Sequence, residues 1–262
     1  MPVLVATDLD GTLLHTDGTV TARTRAALSA VEALGVAVVF VTGRPIRWMA
    51  ELWQHVGDHG LAVCSNGGIV YDVPAHAVRG VRPLALEVGL EVADLLRAAV
   101  PGTTFAVESA AGFGKEPAFM ERYPLPDDIR VGPLASLFDD ATVKLLARHE
   151  ELPAEEFWMA VERAVGHLVT TTWSSTGALV EISARGVTKA STLAVLCTEL
   201  GVAAADVVAF GDMPNDLAML EWAGTSYAMA NAHPSVLELA DRVAPSNEED
   251  GVAATLEELF DL

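Results

Sequence analysis

Three aspartates carry the strongest chemical signal in the sequence. Asp8 and Asp10 stand two residues apart directly after a short apolar run, and Asp212 follows another such run much later in the chain. Carboxylates that lie close together repel one another unless a cation joins them. A small number of hard oxygen ligands suits a magnesium ion that keeps several of its waters. The three residues therefore indicate a site for a divalent cation.

The residues around these carboxylates are of types that bind phosphate. Gly11 allows the backbone to turn sharply and to expose its amide to a phosphate oxygen. Thr42 offers a hydroxyl donor and Lys189 a permanent positive charge, and both would stabilise the charge on a phosphoryl group in transfer. Asp8 and Asp10 would share a face of an extended chain, so both could address one reacting group. The pattern favours phosphate chemistry.

These polar residues stand where predicted strands end. Apolar and β-branched runs, of the kind buried on both faces of a parallel sheet, predict strands at 3–7, 36–41, 61–64, 207–210 and 226–229. Threonine caps and following glycines predict helices at 21–34 and 188–200, and the turn signal Asp17-Gly18 predicts a small hairpin at 13–20. This alternation indicates a doubly wound, parallel α/β sheet, whose ligands bind outside the carboxyl ends of the strands. The polar clusters are therefore expected to meet at one rim.

The middle of the chain is patterned differently. Helices are predicted at 87–99 and 154–165, and strands at 104–108, 142–148, 167–173 and 178–182. The stretch 112–133 is rich in proline and glycine and is predicted to be irregular. We interpret residues 83–184 as an α+β domain inserted into an α/β core formed by residues 1–82 and 185–262.

Composition excludes several classes of partner. Acidic residues outnumber lysine and arginine by 36 to 16, and the formal net charge of −20 would repel nucleic acid and anionic membranes over most of the surface. No apolar run reaches the length of about 18 residues that a membrane span requires. Cys64 and Cys197 both lie in apolar runs, which favours a reduced compartment over a disulfide. We expect a cytoplasmic protein without nucleic-acid or membrane partners, and no obligate protein partner is evident.

Four short segments, taken in order, are similar to the motifs of a known enzyme family. These segments resemble the four motifs of the haloacid dehalogenase superfamily: DLDGTL at 8–13, VVFVTGR at 38–44, GVTKA at 186–190 and GDMPND at 211–216. The chain also resembles the superfamily's Cof-like phosphatases in three further features: SNGG at 65–68, NAHPSVLELADRVAPSNEEDGVAATL at 231–256 and the place of the inserted domain. The resemblance implies a Rossmann-like core and a C2-type cap, here residues 83–184.

The resemblance also implies chemical roles. Asp8 would be the nucleophile that forms an aspartyl-phosphate, and Asp10 the general acid that later activates water. Thr42 and Lys189 would bind the phosphoryl oxygens. Further contacts to the phosphate or the substrate are implied for Leu9, Gly11, Gly43, Asn66 and Asn215.

A magnesium ion is the cofactor that the resemblance implies. Its ligands would be the Asp8 side chain, the Asp10 backbone carbonyl and Asp212. Asn215 and Asp216 would lie behind these ligands, and Asp216 would orient the lysine of the GVTKA motif.

The expected function is the magnesium-dependent hydrolysis of small phosphorylated metabolites, sugar phosphates above all. Two alternatives stay open. The first is a phosphomutase of the same architecture, which would return the phosphate to the substrate rather than to water. The second is a phosphate-sensing or phosphate-binding protein without turnover. Asp10 argues against the second alternative, because a pure binder has no use for a general acid.

Several other residues could belong to a site but have simpler interpretations. His55, Asp58 and His59 have helical spacing, yet three ligands without a fourth are more typical of a solvated surface than of a metal site. Arg44 could serve the site or form an ion pair at its edge, and Asn66 could be a turn residue or contact the substrate. A basic minority in the middle domain could meet an anionic leaving group or form surface ion pairs: Lys115, Arg122, Arg130, Lys144 and Arg148.

Overall fold

The computed structural model describes residues 1–49, 53, 60–122, 129–173 and 177–262. The chain divides into two units, the first combining Met1–Gly80 with Thr188–Leu262 and the second formed by Val81–Val187. The first unit is thus assembled from two distant stretches of sequence. In the described stretches, no helix has both the length and the apolar character needed to cross a membrane.

The regular elements are numbered in chain order. The strands are β1 Leu4–Thr7, β2 Ala37–Val41, β3 Leu61–Cys64, β4 Ile69–Asp72, β5 Ala77–Val81, β6 Thr104–Ser109, β7 Gly112–Lys115, β8 Arg130–Val131, β9 Thr142–Arg148, β10 Val169–Thr172, β11 Leu179–Ala184, β12 Val207–Gly211, β13 Thr225–Met229 and β14 Arg242–Ala244. The α-helices are α1 Ala22–Ala33, α2 Leu86–Ala99, α3 Ala154–Val165, α4 Lys189–Leu200, α5 Leu217–Trp222, α6 Pro234–Leu239 and α7 Gly251–Phe260. Short 3-10 helices are Ile46–Trp48, Ser65–Gly67, Leu134–Ser136, Ala204–Asp206, Pro214–Asp216 and Asn247–Glu249.

The first unit is built on an eight-stranded sheet in the order β14-β13-β12-β1-β2-β3-β4-β5. The five pairs from β14 to β3 are parallel, and β4 adds an antiparallel strand to β3. β1 lies between β12 and β2, and its four residues are all buried, as the uninterrupted apolar run requires. The predicted parallel α/β sheet is confirmed.

The two predicted helix caps of the first unit are present. The Thr21 hydroxyl accepts a hydrogen bond from the backbone of the first turn of α1, and Gly35 follows this helix with a φ of 81°. Thr188 caps α4 in a reciprocal arrangement with Ser191, and Gly201 ends the helix in the left-handed conformation. The sequence therefore determined where these helices begin and end.

The second unit has a six-stranded sheet in the order β10-β11-β9-β6-β7-β8. Its strand pairs are antiparallel, except that β7 and β8 are parallel. Helices α2 and α3 supply side chains to the same hydrophobic cluster as alternate residues of β6, β9 and β11. One face of the sheet is thus covered by helices, as in other α+β layers.

Two local predictions were wrong. The stretch predicted to be irregular, 112–133, contains the strands β7 and β8, of which β8 is the edge strand of the second sheet and β7 its neighbour. The glycines of β7 and the prolines between the two strands gave the stretch its loop-like composition. The predicted hairpin at 13–20 is a series of turns with one isolated bridge between Asp10 and Leu14. The backbone carbonyl of Leu14 instead accepts a hydrogen bond from a side chain near the C-terminus.

Candidate active site

Three neighbouring parallel strands end in the polar residues that the sequence singled out. Asp8 follows β1, Thr42 follows β2, and Asp212 follows β12, and β1 lies between the other two strands in the sheet. The backbone N–H of Asp8 extends the ladder by donating to the carbonyl of Phe210 at 3.0 Å. The sheet therefore brings these residues to one rim, as the carboxyl ends of parallel strands require.

Lys189 reaches this rim from the first turn of α4. Its side chain is 1% exposed, and Nζ donates to Asp8 Oδ1 and to Asp216 Oδ1, each at 2.7 Å. Burial by itself would lower the pKa of the lysine, but Asp216 and Asp8 outweigh burial, so the pKa lies above its ordinary value. The ammonium therefore stays charged between two buried carboxylates.

Asp216 has both carboxylate oxygens engaged in holding this arrangement. Oδ1 accepts from Lys189, and Oδ2 accepts from the backbone N–H groups of Asp212 and Met213, both at 3.1 Å. Gly211 packs directly behind it, because a Cβ atom there would collide with the Asp216 side chain. Asp216 thus fixes both the lysine and the turn that carries Asp212.

Asp212 is held from the other side by the loop after β1. Its Oδ1 accepts from the Thr12 hydroxyl at 2.8 Å. Gly11 has a φ of +75°, and a Cβ atom on it would collide with Asp212 Oδ2. Sequence reasoning assigned no role to Thr12, although it stands inside the DLDGTL segment and its hydroxyl is a natural partner for a carboxylate.

Asp8, Asp212 and Asp216 form a buried cluster in which one carboxylate oxygen from each lies within 4.8 Å of the others. The pKa of Asp8 is raised well above its usual range by burial, against the opposing effect of Lys189 and with a further contribution from the other aspartates. Burial and, to a smaller extent, the charge of Asp216 raise the pKa of Asp212 to about 6. The cluster therefore holds more negative charge than one lysine balances, which fits a divalent cation.

The raised pKa of Asp212 predicts how the stability of the metal-free protein depends on pH. The folded-state pKa of Asp212 is about 6, and its ordinary value is 3.8. Between these pH values the folded chain therefore binds more protons at this site than the unfolded chain does. Stability is therefore lost as pH rises through this window, by on the order of 3 kcal/mol. We expect thermal unfolding in a chelating buffer, measured from pH 4 to 7.5, to show a smaller fall for Asp212→Asn than for the parent. Identical pH profiles would contradict the burial of this charge, and Asp206→Asn, at an exposed position, is the control.

Asp10 lies outside the buried cluster. Its side chain is 56% exposed, and Arg44 donates to both oxygens, from Nε at 2.7 Å and from Nη2 at 2.6 Å. This hydrogen bonding is the main cause of a raised pKa at Arg44. Of the two interpretations of Arg44, the ion pair at the edge of the site is the one observed. The ligand implied for Asp10 is its backbone carbonyl, which leaves its carboxylate free for this pairing.

Thr42 and Gly43 form a tight turn against the SNGG loop. Thr42 is fully buried, its hydroxyl accepts from the Arg44 backbone at 3.0 Å, and its carbonyl accepts from the Asn66 backbone at 3.0 Å. A Cβ atom on Gly43 would lie 3.1 Å from Asn66 Oδ1. The implied contact of these two residues with a phosphate stays a prediction.

The SNGG loop has an unusual backbone. Ser65, Asn66 and Gly67 have φ values of 54°, 55° and 103°, a left-handed run that is costly for the two residues that are not glycine. A Cβ atom at position 67 would collide with the carbonyl of Thr188, so glycine fits there. The Gly67 carbonyl accepts a hydrogen bond from the Thr192 hydroxyl at 2.8 Å. The loop therefore fixes the start of α4, which carries the lysine of the site.

Asn66 and Asn215 come together from two loops. Asn215 Nδ2 donates to Asn66 Oδ1 at 3.2 Å, and Asn66 is 1% exposed. Leu9 is also fully buried, so its backbone is the part that could contact a phosphate. Whether any of these three touches a substrate stays a prediction.

The weaker candidates are mostly engaged elsewhere or fall outside the described residues. His55, Asp58 and His59 are outside them. The basic residues of the second unit have partners within that unit: Lys115 with the carbonyl of Phe119, Arg122 with Glu150, Arg130 with Asp139, Lys144 with Glu181, and Arg148 with the ring of Phe119. Ion pairs and packing therefore account for these side chains in this structure.

Comparison with known proteins identifies the family. The family of haloacid dehalogenase-like hydrolases matches residues 5–256. The 5-amino-6-(5-phospho-D-ribitylamino)uracil phosphatase YitU of Bacillus subtilis is 30% identical, with 100% of this chain and 98% of that protein covered. The pyridoxal phosphate phosphatase YbhA of Escherichia coli is 29% identical, with 95% of this chain and 96% of that protein covered.

A solved structure agrees with the sequence comparisons. A haloacid dehalogenase-like hydrolase from Bacteroides thetaiotaomicron has a TM-score of 0.80 and 25% identity, with 99% of this chain and 100% of that chain covered. The predicted enzyme class, a phosphatase, is confirmed at the level of the family. With the four motifs gathered at one rim of its sheet, the chain belongs to the haloacid dehalogenase-like hydrolases.

Proposed function

We propose that this chain is a magnesium-dependent phosphatase that hydrolyses small phosphorylated metabolites through an aspartyl-phosphate on Asp8. The observation that carries the proposal is the buried triad in which Lys189 joins Asp8 and Asp216, beside a second crowded carboxylate, Asp212. A structural ion pair would be complete with one aspartate and one lysine. The additional buried carboxylates have a physical reason if a cation and a phosphate occupy the rim.

Magnesium fits the residues at the site. Burial, with a smaller contribution from the neighbouring aspartates, raises the pKa values of Asp8 and Asp212, and a bound cation would favour the charged form of both carboxylates. We infer that the Asp8 side chain, the Asp10 backbone carbonyl and Asp212 would hold the ion. When bound, magnesium would neutralise these carboxylates and stabilise charge on the phosphate oxygens.

The protein's own residues would carry two steps. In the first, a carboxylate oxygen of Asp8 attacks phosphorus, the ester P–O bond breaks, and Asp10 donates a proton to the leaving oxygen. In the second, Asp10 takes a proton from water as the water oxygen attacks phosphorus, and the bond to Asp8 breaks with release of phosphate. Thr42 and Lys189 would bind the phosphoryl oxygens through both steps. Asp10 has to leave Arg44 for the first step, because Arg44 engages both of its oxygens.

The substrate is proposed only as a class. The named substrates of the relatives are phosphorylated metabolites of modest size, which supports a small phosphate monoester here, with sugar phosphates as the first class to screen. We infer that residues 83–184 act as a cap that selects the leaving group and excludes water. The two alternatives, a phosphomutase and a non-catalytic phosphate binder, differ from this proposal in whether phosphate appears in solution.

Release of inorganic phosphate tests the proposal. We expect turnover of an aryl phosphate and of some sugar phosphates with magnesium, loss of turnover after chelation, and recovery when magnesium is restored. Full activity in a metal-stripped sample would contradict the magnesium assignment. Phosphate that moves between positions of one substrate without release would favour the mutase, and magnesium-dependent phosphate binding without turnover would favour the binder.

A further inference from the structure

The loop after β13 contacts both acidic loops of the candidate site. Asn231 Nδ2 donates to the backbone carbonyl of Gly11 at 2.8 Å, and the backbone N–H of His233 donates to the backbone carbonyl of Asp212 at 2.8 Å. One short loop therefore ties the strand ends of β1 and β12 to each other. The chemistry proposed above assigns no role to this loop, although it begins the NAHPS segment of the sequence.

A second asparagine continues the connection. The Asn231 Oδ1 atom accepts from the backbone N–H of Asn247 at 3.0 Å, and Asn247 Nδ2 donates to the carbonyl of Leu14 at 2.8 Å. The carbonyls at the two ends of the turn 11–14 thus each accept from an asparagine side chain. Asn231 and Asn247 therefore hold the two ends of this turn.

The orientation of the peptide between Gly11 and Thr12 bears directly on the position of Asp212. A peptide group is planar, so holding the Gly11 carbonyl also fixes the direction of the Thr12 N–H, which donates to the Leu9 carbonyl at 3.2 Å. Thr12 in turn holds Asp212 through its hydroxyl, and Gly11 packs against the same carboxylate. A rotation of this peptide would therefore displace Asp212.

We propose that Asn231 is a positioning residue that sets the Gly11–Thr12 peptide, and through it Asp212, for phosphoryl transfer. The inference rests on the proposed function for its catalytic part. Asn231 is exposed, so the loss of one of its hydrogen bonds should cost the fold little. Its effect should instead be on the geometry of the site, where displacements of about 1 Å can cost as much as 10²-fold in rate.

The test compares two substitutions at this position with a matched control. Asn231→Ala removes both side-chain hydrogen bonds, whereas Asn231→Asp keeps the size and the acceptor for the Asn247 backbone N–H but cannot donate to the Gly11 carbonyl. Thr198→Ala removes an exposed bond of the same kind, from a side chain to a backbone carbonyl at 2.9 Å, on the far end of α4. Three measurements are made on each protein: hydrogen exchange of the peptide that contains residues 9–14, kcat/KM for an aryl phosphate with magnesium, and the melting temperature.

We expect both Asn231 variants to exchange faster in residues 9–14 and to lose about tenfold in kcat/KM, with a melting temperature close to that of the parent. Thr198→Ala should match the parent in all three. Parent-like exchange in Asn231→Ala would overturn the proposal, as would faster exchange with unchanged kcat/KM. A parent that hydrolyses no phosphate ester would refute the proposed function, and the exchange measurement would still decide whether Asn231 holds the peptide.

Discussion

Asp8→Asn should abolish phosphate release, a loss of roughly 10³-fold or more, while the protein stays folded. The substituted residue is nearly the same size, and the change removes a buried carboxylate whose pKa is already raised by burial. Lys189 keeps its bond to Asp216 at 2.7 Å. The melting temperature of the metal-free protein should therefore stay level or rise. Phosphate release and thermal unfolding measure the two effects, and Asp206→Asn, an exposed aspartate of the same unit, is the matched control.

A covalent phosphoenzyme should accumulate in Asp10→Asn and should be absent when Asp8 is replaced as well. Asp10→Asn removes the base proposed for the second step, whereas the first step with an aryl phosphate needs little protonation of the leaving group. Rapid acid quenching followed by peptide mass measurement should locate a phosphoryl group on the peptide that contains Asp8. The double variant Asp8→Asn/Asp10→Asn should show none. A phosphoryl group elsewhere would overturn the mechanism, and substantial turnover in Asp8→Asn would reduce Asp8 to a ligand.

Lys189→Met should damage both activity and stability. The ammonium is the shared partner of Asp8 and Asp216, and its removal leaves two buried carboxylates close together without that cation. Breaking a buried charge network by removing one partner typically costs about 3 to 5 kcal/mol. The loss of the cation that would bind the phosphoryl group should take activity to background. Denaturant unfolding and phosphate release at saturating magnesium measure the two effects.

A second substitution distinguishes charge from packing as the cause of the lost stability. If repulsion between carboxylates is responsible, Asp8→Asn/Lys189→Met should be more stable than Lys189→Met alone, because the double variant leaves one charge fewer in the cluster. Magnesium should also raise the stability of Lys189→Met by supplying a replacement cation. Equal stability of the single and double variants would show that the lost packing of the lysine side chain dominates.

The sequence by itself determined the frame of the first unit and the place of the candidate site. The strands that carry Asp8, Thr42 and Asp212 are short apolar runs, and such runs are visible locally because strands buried on both faces leave no room for polar residues. The helix that carries Lys189 is predicted by its cap at Thr188 and its terminal glycine, Gly201, and both are local signals. The family followed from four motifs whose order is fixed in the chain.

Only the tertiary structure decided which side chains meet. Arg44 pairs with Asp10 across 34 residues, Thr12 with Asp212 across 200, and Asn231 with the Gly11 carbonyl across 220. The strands β7 and β8 were likewise hidden, because the two glycines of β7 and the prolines between the strands resemble loop sequence until neighbouring strands are present. A local pattern records which face of an element is buried, whereas a hydrogen bond between distant residues depends on the position of both elements at once.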